Sequence, residues 1–110
     1  MMHDRTIYCP QGIINQDNEQ EFQKQLIKFI NNSTEKDIFI NFEKVELVDS
    51  NGLVALANAY KQAKSQNKNF YVCNVSPSVK IIFEISQLDK VLGIREYNYD
   101  FISNKNILAA

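Results

Sequence analysis

The sequence predicts an α/β fold in which helices pack against a mixed or mostly parallel sheet of four to five strands. Segments rich in β-branched and aromatic residues alternate along the chain with segments of helical periodicity. The chain has 110 residues, of which 45% are hydrophobic and 23% charged, and this composition suits one globular domain with one core. We therefore predict a single domain over residues 1–110, with frayed ends at 1–4 and about 100–110.

The first half of the chain predicts a strand, a helix and two more strands. The segment RTIYCP predicts the first strand, and Gly12 in the following QGIIN indicates a turn or a bulge. The segment DNEQEFQKQLIKFINN predicts a helix, with Asp17 and Gln20 as a candidate N-terminal cap. The apolar residues that share one face of this helix are Phe22, Leu26, Phe29 and Ile30. The segments DIFINF and VELV predict the next two strands, the first of them inside the sheet.

The second half predicts two helices and up to two strands. A helix follows VELV, and its apolar stripe consists of Leu53, Leu56, Ala57, Tyr60 and Ala63. The segment FYVCNV predicts a strand by its β-branched and aromatic content. Ser76 and Pro77 suit the cap and first position of a helix over SVKIIFEIS. The residues of this helix expected to face inward are Val79, Ile82 and Phe83. GIREY predicts a last strand, and YDFISNKNILAA a weak terminal helix or a frayed tail.

Charge and hydropathy argue against several classes of partner. The net charge is −1, from 12 Lys+Arg and 13 Asp+Glu, so no strong field attracts nucleic acid or an anionic membrane. The apolar segments are shorter than a bilayer span, and the start MMHDRTIY lacks the hydrophobic region of a signal peptide. We predict a cytoplasmic protein without membrane insertion, in which Cys9 and Cys73 are buried, reduced thiols.

The residues that common catalytic and cofactor sites need are missing. His3 is the only histidine, so neither a Ser-His-Asp nor a Cys-His arrangement nor a histidine metal site can be assembled. The sequence has no Cys-x-x-Cys, and its three glycines form neither GxxxxGK[ST] nor GxGxxG. We therefore expect no enzymatic activity, no metal and no cofactor.

The segment VDSNGL, residues 48–53, lies between a predicted strand and a predicted helix. Asn51-Gly52 is a strong hairpin signal, yet a helix follows it. A helix start presents free N–H groups and a positive dipole end, where an anion is favoured. Asp49 and Ser50 are both suited to cap it, and Gly52 allows either a close backbone approach or an unusual φ. The segment is thus either a tight structural loop or a working site.

A series of motifs in the chain resembles a known family. The motif positions are Asp49, Ser50, Gly52, Leu53, Ser76, Pro77, Val79 and Phe83. With the upstream segment GIINQDNEQEFQKQL, they resemble the STAS domains, and most closely the bacterial anti-sigma factor antagonists, over about Gly12 to Ile94. The resemblance implies a STAS-like fold and a protein-binding switch instead of catalysis.

In that family the antagonist binds an anti-sigma factor that is also a serine/threonine kinase. The kinase phosphorylates the hydroxyl residue just before the motif's glycine. In this sequence that residue is Asn51, which has no hydroxyl, and Ser50 is a poor substitute because it stands one position earlier. Asn15 stands where the family often has Asp. The residues that the resemblance assigns to the partner-binding switch loop are Asn15, Asp49, Ser50, Asn51, Gly52 and Leu53.

The leading interpretation is therefore a protein-binding module that does not respond to phosphorylation at position 51. One alternative is a scaffold or subunit of a larger complex, stressosome-like or lipid-transporting, because such roles need no phosphate cycle. Another is a small anion or nucleotide binder at the helix start. The pair Asn51-Gly52 is also prone to deamidation where the backbone is flexible. The sequence leaves the oligomeric state open.

Overall fold

The computed structural model describes residues 7–87, which form five strands and three helices. In chain order they are β1 (Ile7–Tyr8), β2 (Gln11–Ile14), α1 (Glu19–Asn32), β3 (Asp37–Asn41), β4 (Lys44–Val48), α2 (Ser50–Ser65), β5 (Asn69–Cys73) and α3 (Pro77–Ser86). Every strand pair among them is parallel, in a three-stranded sheet of order β1-β3-β5 and a two-stranded sheet of β2 and β4. The predicted α/β class is confirmed, and β3 is the central strand of the larger sheet, as DIFINF predicted.

The two sheets share two continuous chain segments. One segment runs from β1 into β2, and the other runs from β3 into β4. Tyr8 pairs with Ile40 in the first sheet, and Gln11 pairs with Lys44 in the second. Pro10 lies between β1 and β2 and has no backbone N–H to donate to a neighbouring strand. The strands therefore fall into two ladders instead of the single sheet that the sequence suggested.

The helices α1 and α2 provide the crossovers that parallel strands require. They pack against each other, and both contribute to the main core together with the strands. The residues of these helices that are fully enclosed are Leu26, Ile30, Ala55, Leu56, Ala59 and Ala63. Ala55 and Ala59 extend the predicted stripe of α2, whereas Ala57 and Tyr60 are half-buried. Because alanine side chains are small, α2 can lie close to its neighbours.

The glycine of β2 forms a bulge, as one of its two predicted alternatives. Gly12 has φ +82°, and the register between β2 and β4 shifts between Gly12 and Ile13. The shift places Ile13 opposite Leu47, and both side chains point outward with exposed fractions of 46% and 45%.

The predicted start of α3 is confirmed. Ser76 is its N-cap and accepts a hydrogen bond from the Val79 N–H at 3.4 Å, and Pro77 is its first residue. Val79 and Phe83 are buried, and the Phe83 ring lies 5.9 Å from that of Phe42.

The predicted cap of α1 by Asp17 is wrong. The N-cap residue is Asn18, and its side chain makes no capping hydrogen bond. The Asn18 amide instead turns back to the preceding loop, where it accepts from the Asn15 N–H at 2.9 Å and donates to the Ile13 carbonyl at 2.7 Å. Asp17 donates its backbone N–H to the Asn15 side chain at 2.9 Å.

The prediction that both thiols are buried is right for Cys73 and wrong for Cys9. Cys9 is exposed, and it lies just after the end of β1 at Tyr8. Cys73 is fully buried in β5, and burial raises the pKa of its thiol to about 12. The segments GIREY and YDFISNKNILAA, and the expected fraying at 1–4, lie outside the described residues.

Candidate functional site

The VDSNGL segment lies where β2 and β4 end side by side. Ile14 pairs with Val48 in the last register position, and the Asp49 N–H donates to the Ile14 carbonyl at 3.0 Å. Asn15 and Asp49 therefore leave the sheet next to each other at the carboxyl ends of the two strands. Sites in open parallel sheets are commonly built at this edge. We call the segment Asp49–Leu53 together with Asn15 the strand-end corner.

Asp49 caps α2, which settles the choice between Asp49 and Ser50. Its backbone is extended at φ −94° and ψ −176°, and its carboxylate accepts a hydrogen bond from the Gly52 N–H at 3.0 Å. This hydrogen bond is the largest cause of a lowered pKa of the Asp49 carboxyl, and hydrogen bonds from Asn51 and Gln16 act in the same direction. The carboxylate therefore stays ionised and holds the first turn of α2 together.

Gly52 is required by a close approach. Its φ is not in the positive region, so conformational freedom is not the reason for a glycine here. A Cβ at this position would lie 2.8 Å from Val48 Cγ1, 2.9 Å from Ile14 Cγ2 and 3.0 Å from the Ile14 carbonyl oxygen. The helix start is thus pressed directly onto the ends of β2 and β4.

The other residues of the segment divide between the surface and the core. Ser50 and Asn51 are exposed, whereas Leu53 is only 6% exposed and belongs to the main core. Successive helix residues point about 100° apart, since 3.6 residues make one turn. The Ser50 hydroxyl therefore points away from the direction of the Asn51 side chain, and both are exposed beside the half-buried Asp49.

The side chain of Asn15 forms a hydrogen bond within its own loop. It is half-buried, and its side-chain oxygen accepts the Asp17 N–H at 2.9 Å. Among the residues that the structure describes, its side chain makes no hydrogen bond to the segment 49–53. Asn15 is therefore adjacent to the start of α2 through the strand pairing and not through a polar contact.

Exposed apolar residues near this corner were missed by the sequence reasoning. Val54 is 59% exposed and follows Asn51 by three positions, so both lie on the outer face of α2. Helical spacing from Asn51 would have identified it. Ile13 and Leu47 lie outward on the β2-β4 sheet, and no local signal separates them from Ile14 and Val48 before the bulge is located.

The electrostatics at the helix start oppose an added anion. An anion at a helix start is attracted by its free backbone N–H groups. Here the Gly52 N–H already donates a hydrogen bond to the Asp49 carboxylate. A second negative charge would meet that carboxylate at close range, so the arrangement disfavours the anion- or nucleotide-binding alternative. Within residues 7–87, no group of three or more His, Cys, Asp or Glu side chains is placed to hold a metal ion. None of the helices over these same residues combines the length and apolarity needed to cross a membrane.

The chain is similar to proteins of a known family. A family model of the STAS domain matches residues 2–99. An anti-sigma-B factor antagonist of Staphylococcus aureus strain NCTC 8325 / PS 47 is 31% identical over 61 residues. That alignment covers 56% of this chain and 56% of the relative, so it spans about half the length of each.

Solved structures share the fold at lower identity. An anti-sigma factor antagonist from Mycobacterium paratuberculosis matches with a TM-score of 0.74 at 18% identity, covering 90% of this chain and 82% of that one. A sulfate transporter family protein from Wolinella succinogenes also matches with a TM-score of 0.74, at 16% identity, covering 94% of this chain and 85% of that one. The fold is therefore shared by proteins with different roles.

Proposed function

The chain belongs to the STAS domain family, and we propose that it is a non-enzymatic protein-binding module of the anti-sigma factor antagonist type. Its partner is an anti-sigma factor with serine kinase activity, and it acts in the cytoplasm, where sigma factors work. Phosphorylation at position 51 does not control its docking. The observation that carries this proposal is the intact, Asp49-capped start of α2 with an exposed asparagine at the modification position.

The docking surface is formed by the first two turns of α2. Asn51 and Val54 lie on the outer face of α2, Ser50 is exposed at its start, and Gly52 and Leu53 fix the helix to the sheet from below. An apolar side chain surrounded by polar ones is typical of the small, non-obligate surfaces that signalling proteins use. Because Gly52 packs closely on Ile14 and Val48, the start of α2 is positioned on the sheet before a partner binds.

Asn51 makes the surface insensitive to the kinase. A phosphate adds about −1.5 to −2 charges and would disfavour docking beside the Asp49 carboxylate. An amide side chain cannot accept a phosphoryl group in the way that a serine hydroxyl does. Ser50 is exposed but projects in another direction, so it does not replace the missing hydroxyl.

The test combines phosphorylation with binding. The wild type and Asn51→Ser are incubated with ATP and the anti-sigma factor kinase encoded in the same genome, and intact mass is measured. We expect Asn51→Ser to gain one phosphate and the wild type to gain none. Binding of the unmodified wild type to the same kinase is then measured by calorimetry and compared with Asn51→Asp, which should bind about five- to tenfold more weakly because of the added charge.

A matched control separates the site from a general charge effect. Asn32→Asp makes the same change on the last residue of α1, which is exposed. The start of α1 follows Asn15 of the strand-end corner, and Asn32 lies about 20 Å along the helix from that start. Its affinity should equal that of the wild type. Stoichiometric phosphorylation of wild-type Ser50, or equal weakening by Asn32→Asp and Asn51→Asp, would show that the proposal is wrong.

The second candidate is a scaffold or subunit of a larger complex. It is favoured by Asn51, because a structural role needs no phosphate cycle, and the Wolinella structure shows that the fold is also used in a sulfate transporter family protein. Light scattering of the purified chain discriminates between the two. A large homo-oligomer that does not bind the kinase supports the scaffold, and a kinase complex of defined stoichiometry supports the antagonist.

A further inference from the structure

The pair Asn51-Gly52 can undergo spontaneous deamidation, a reaction that the proposed function does not require. The backbone nitrogen of Gly52 can attack the side-chain carbonyl carbon Cγ of Asn51, because glycine has no side chain to hinder the approach. A new N–C bond closes a five-membered succinimide, the Cγ–Nδ2 bond breaks, and the nitrogen leaves as ammonia with the proton that Gly52 loses. Water then opens the ring to aspartate or isoaspartate. The balance is one amide and one water giving one carboxylate and one ammonium ion.

In the folded chain the attacking nitrogen is occupied. The Gly52 N–H donates to the Asp49 carboxylate at 3.0 Å. Attack requires this N–H to lose its proton, and a deprotonated nitrogen beside an ionised carboxylate brings two negative charges together. The hydrogen bond therefore suppresses the nucleophile and does not activate it.

Packing suppresses the same step by geometry. Asn51 lies in the first turn of α2, and closing the ring requires its backbone to leave the helical conformation. That rotation would move Gly52 away from Ile14 and Val48, which lie so close that a Cβ on Gly52 would be 2.8–3.0 Å from their atoms. The Asn51 side chain itself is exposed, so water is available for the hydrolysis. The step that limits the reaction is thus the opening of the first turn.

We propose that the Asp49 cap controls spontaneous deamidation of Asn51. While the cap is closed, position 51 keeps its amide, and each opening of the turn exposes it to irreversible conversion. The product carries a negative charge on the outer face of α2, at a position where enzymatic phosphorylation cannot place one. Asp49 acts here as a positioning residue. The proposal goes beyond the proposed function, because the reaction takes place whether or not the chain binds an anti-sigma factor.

The experiment follows the amide at position 51 in three folded chains at neutral pH: the wild type, Asp49→Ala and Asp49→Ser. Peptide mapping by mass spectrometry measures the fraction converted, and Asn32-Ser33 in the same chain is the internal reference. We expect Asp49→Ala to convert about fivefold faster than the wild type, because the first turn of α2 opens more often without its N-cap. Asp49→Ser should convert at nearly the wild-type rate, because serine restores the cap.

Ser76→Ala separates local opening from general loss of stability. It removes a comparable cap from α3, and it should leave the conversion of Asn51 within about twofold of the wild-type rate. The proposal is overturned if Ser76→Ala accelerates the reaction as much as Asp49→Ala, if Asp49→Ala matches the wild type, or if Asp49→Ser is as fast as Asp49→Ala. Should Asp49→Ala fail to fold by circular dichroism, a synthetic peptide of residues 46–56 provides the reference. Conversion of the folded wild type at the peptide's rate then refutes the proposal, and much slower conversion supports it.

Discussion

Replacing Gly52 with alanine tests whether the start of α2 is held by steric contact with the sheet. In an open helical position this change is favourable, by about 0.5–1 kcal/mol, because alanine has the higher helix propensity. The structure predicts the opposite sign. The new Cβ would lie 2.8 Å from Val48 Cγ1 and 2.9 Å from Ile14 Cγ2, well inside the usual 3.5–4.0 Å between carbon atoms.

The stability cost of Gly52→Ala depends on whether the atoms around position 52 can move. None of the three contacts relaxes easily. Val48 Cγ1 and Ile14 Cγ2 are bonded to the Cβ atoms of buried β-branched residues, and the Ile14 carbonyl oxygen, 3.0 Å away, is held by its hydrogen bond from the Asp49 N–H. Overpacking of this kind costs about 1–3 kcal/mol. With a central overpacking cost of about 2 kcal/mol, subtracting the gain in helix propensity leaves a net loss of about 1 kcal/mol. For a chain of this length that loss lowers Tm by about 4–8 °C.

The assay is thermal and urea unfolding followed by circular dichroism at 222 nm, a wavelength that reports helix. Ser50→Ala is the matched control, because Ser50 is exposed in the same turn and its change should stay within about 0.5 kcal/mol. If Gly52→Ala is as stable as the wild type or more stable, the helix start is not in steric contact with β2 and β4. The structural account of the strand-end corner would then fail.

Three further predictions concern the core, the two thiols and the Asp49 cap. Leu26→Ala should cost about 2–5 kcal/mol in urea unfolding because Leu26 is 0% exposed, and a loss below about 1 kcal/mol would contradict its place in the core. In the folded chain Cys9 should react rapidly with Ellman's reagent and Cys73 only after denaturation, so two fast thiols would contradict the burial of Cys73. Because the Gly52 N–H lowers the pKa of the Asp49 carboxyl, its charge stabilises the fold above the ordinary value of 3.8, and this contribution is lost as pH falls through the lower folded value. The Tm advantage of wild type over Asp49→Asn should therefore shrink below that pH, and a difference independent of pH would exclude this linkage.

Local signals predicted the helix starts with mixed success. Ser76 and Pro77 placed the start of α3 correctly, because a cap and its N–H partner lie within three residues of each other. The same kind of signal failed at Asp17, because the neighbouring Asn18 is also a residue type that suits the N-cap position. Asn18 occupies that position, but its side chain donates a hydrogen bond to the Ile13 carbonyl and does not cap the helix. A choice between two adjacent polar residues depends on the surrounding turn, which a capping pattern does not describe.

Exposure was the least predictable property of individual residues. Cys9 belongs to an apolar segment, yet it is exposed because the strand ends before it. Ile13 and Leu47 are apolar residues of strands, yet both point outward because the bulge at Gly12 shifts the register. For Ile13 and Leu47 the outcome depends on the register between β2 and β4, two strands that are distant in the sequence.

The α/β class, the start of a helix at VDSNGL and the absence of a hydroxyl at position 51 were all predictable from the sequence, because periodicity, capping and residue type are local properties. The tertiary structure alone decided that Asp49 and not Ser50 caps α2, that Gly52 is needed for a close approach, and that Val54 is exposed beside Asn51. The space at Gly52 is set by Ile14 and Val48, which contact the helix start because β2 pairs with β4. Steric contact depends on distance in space, which separation along the sequence does not reveal.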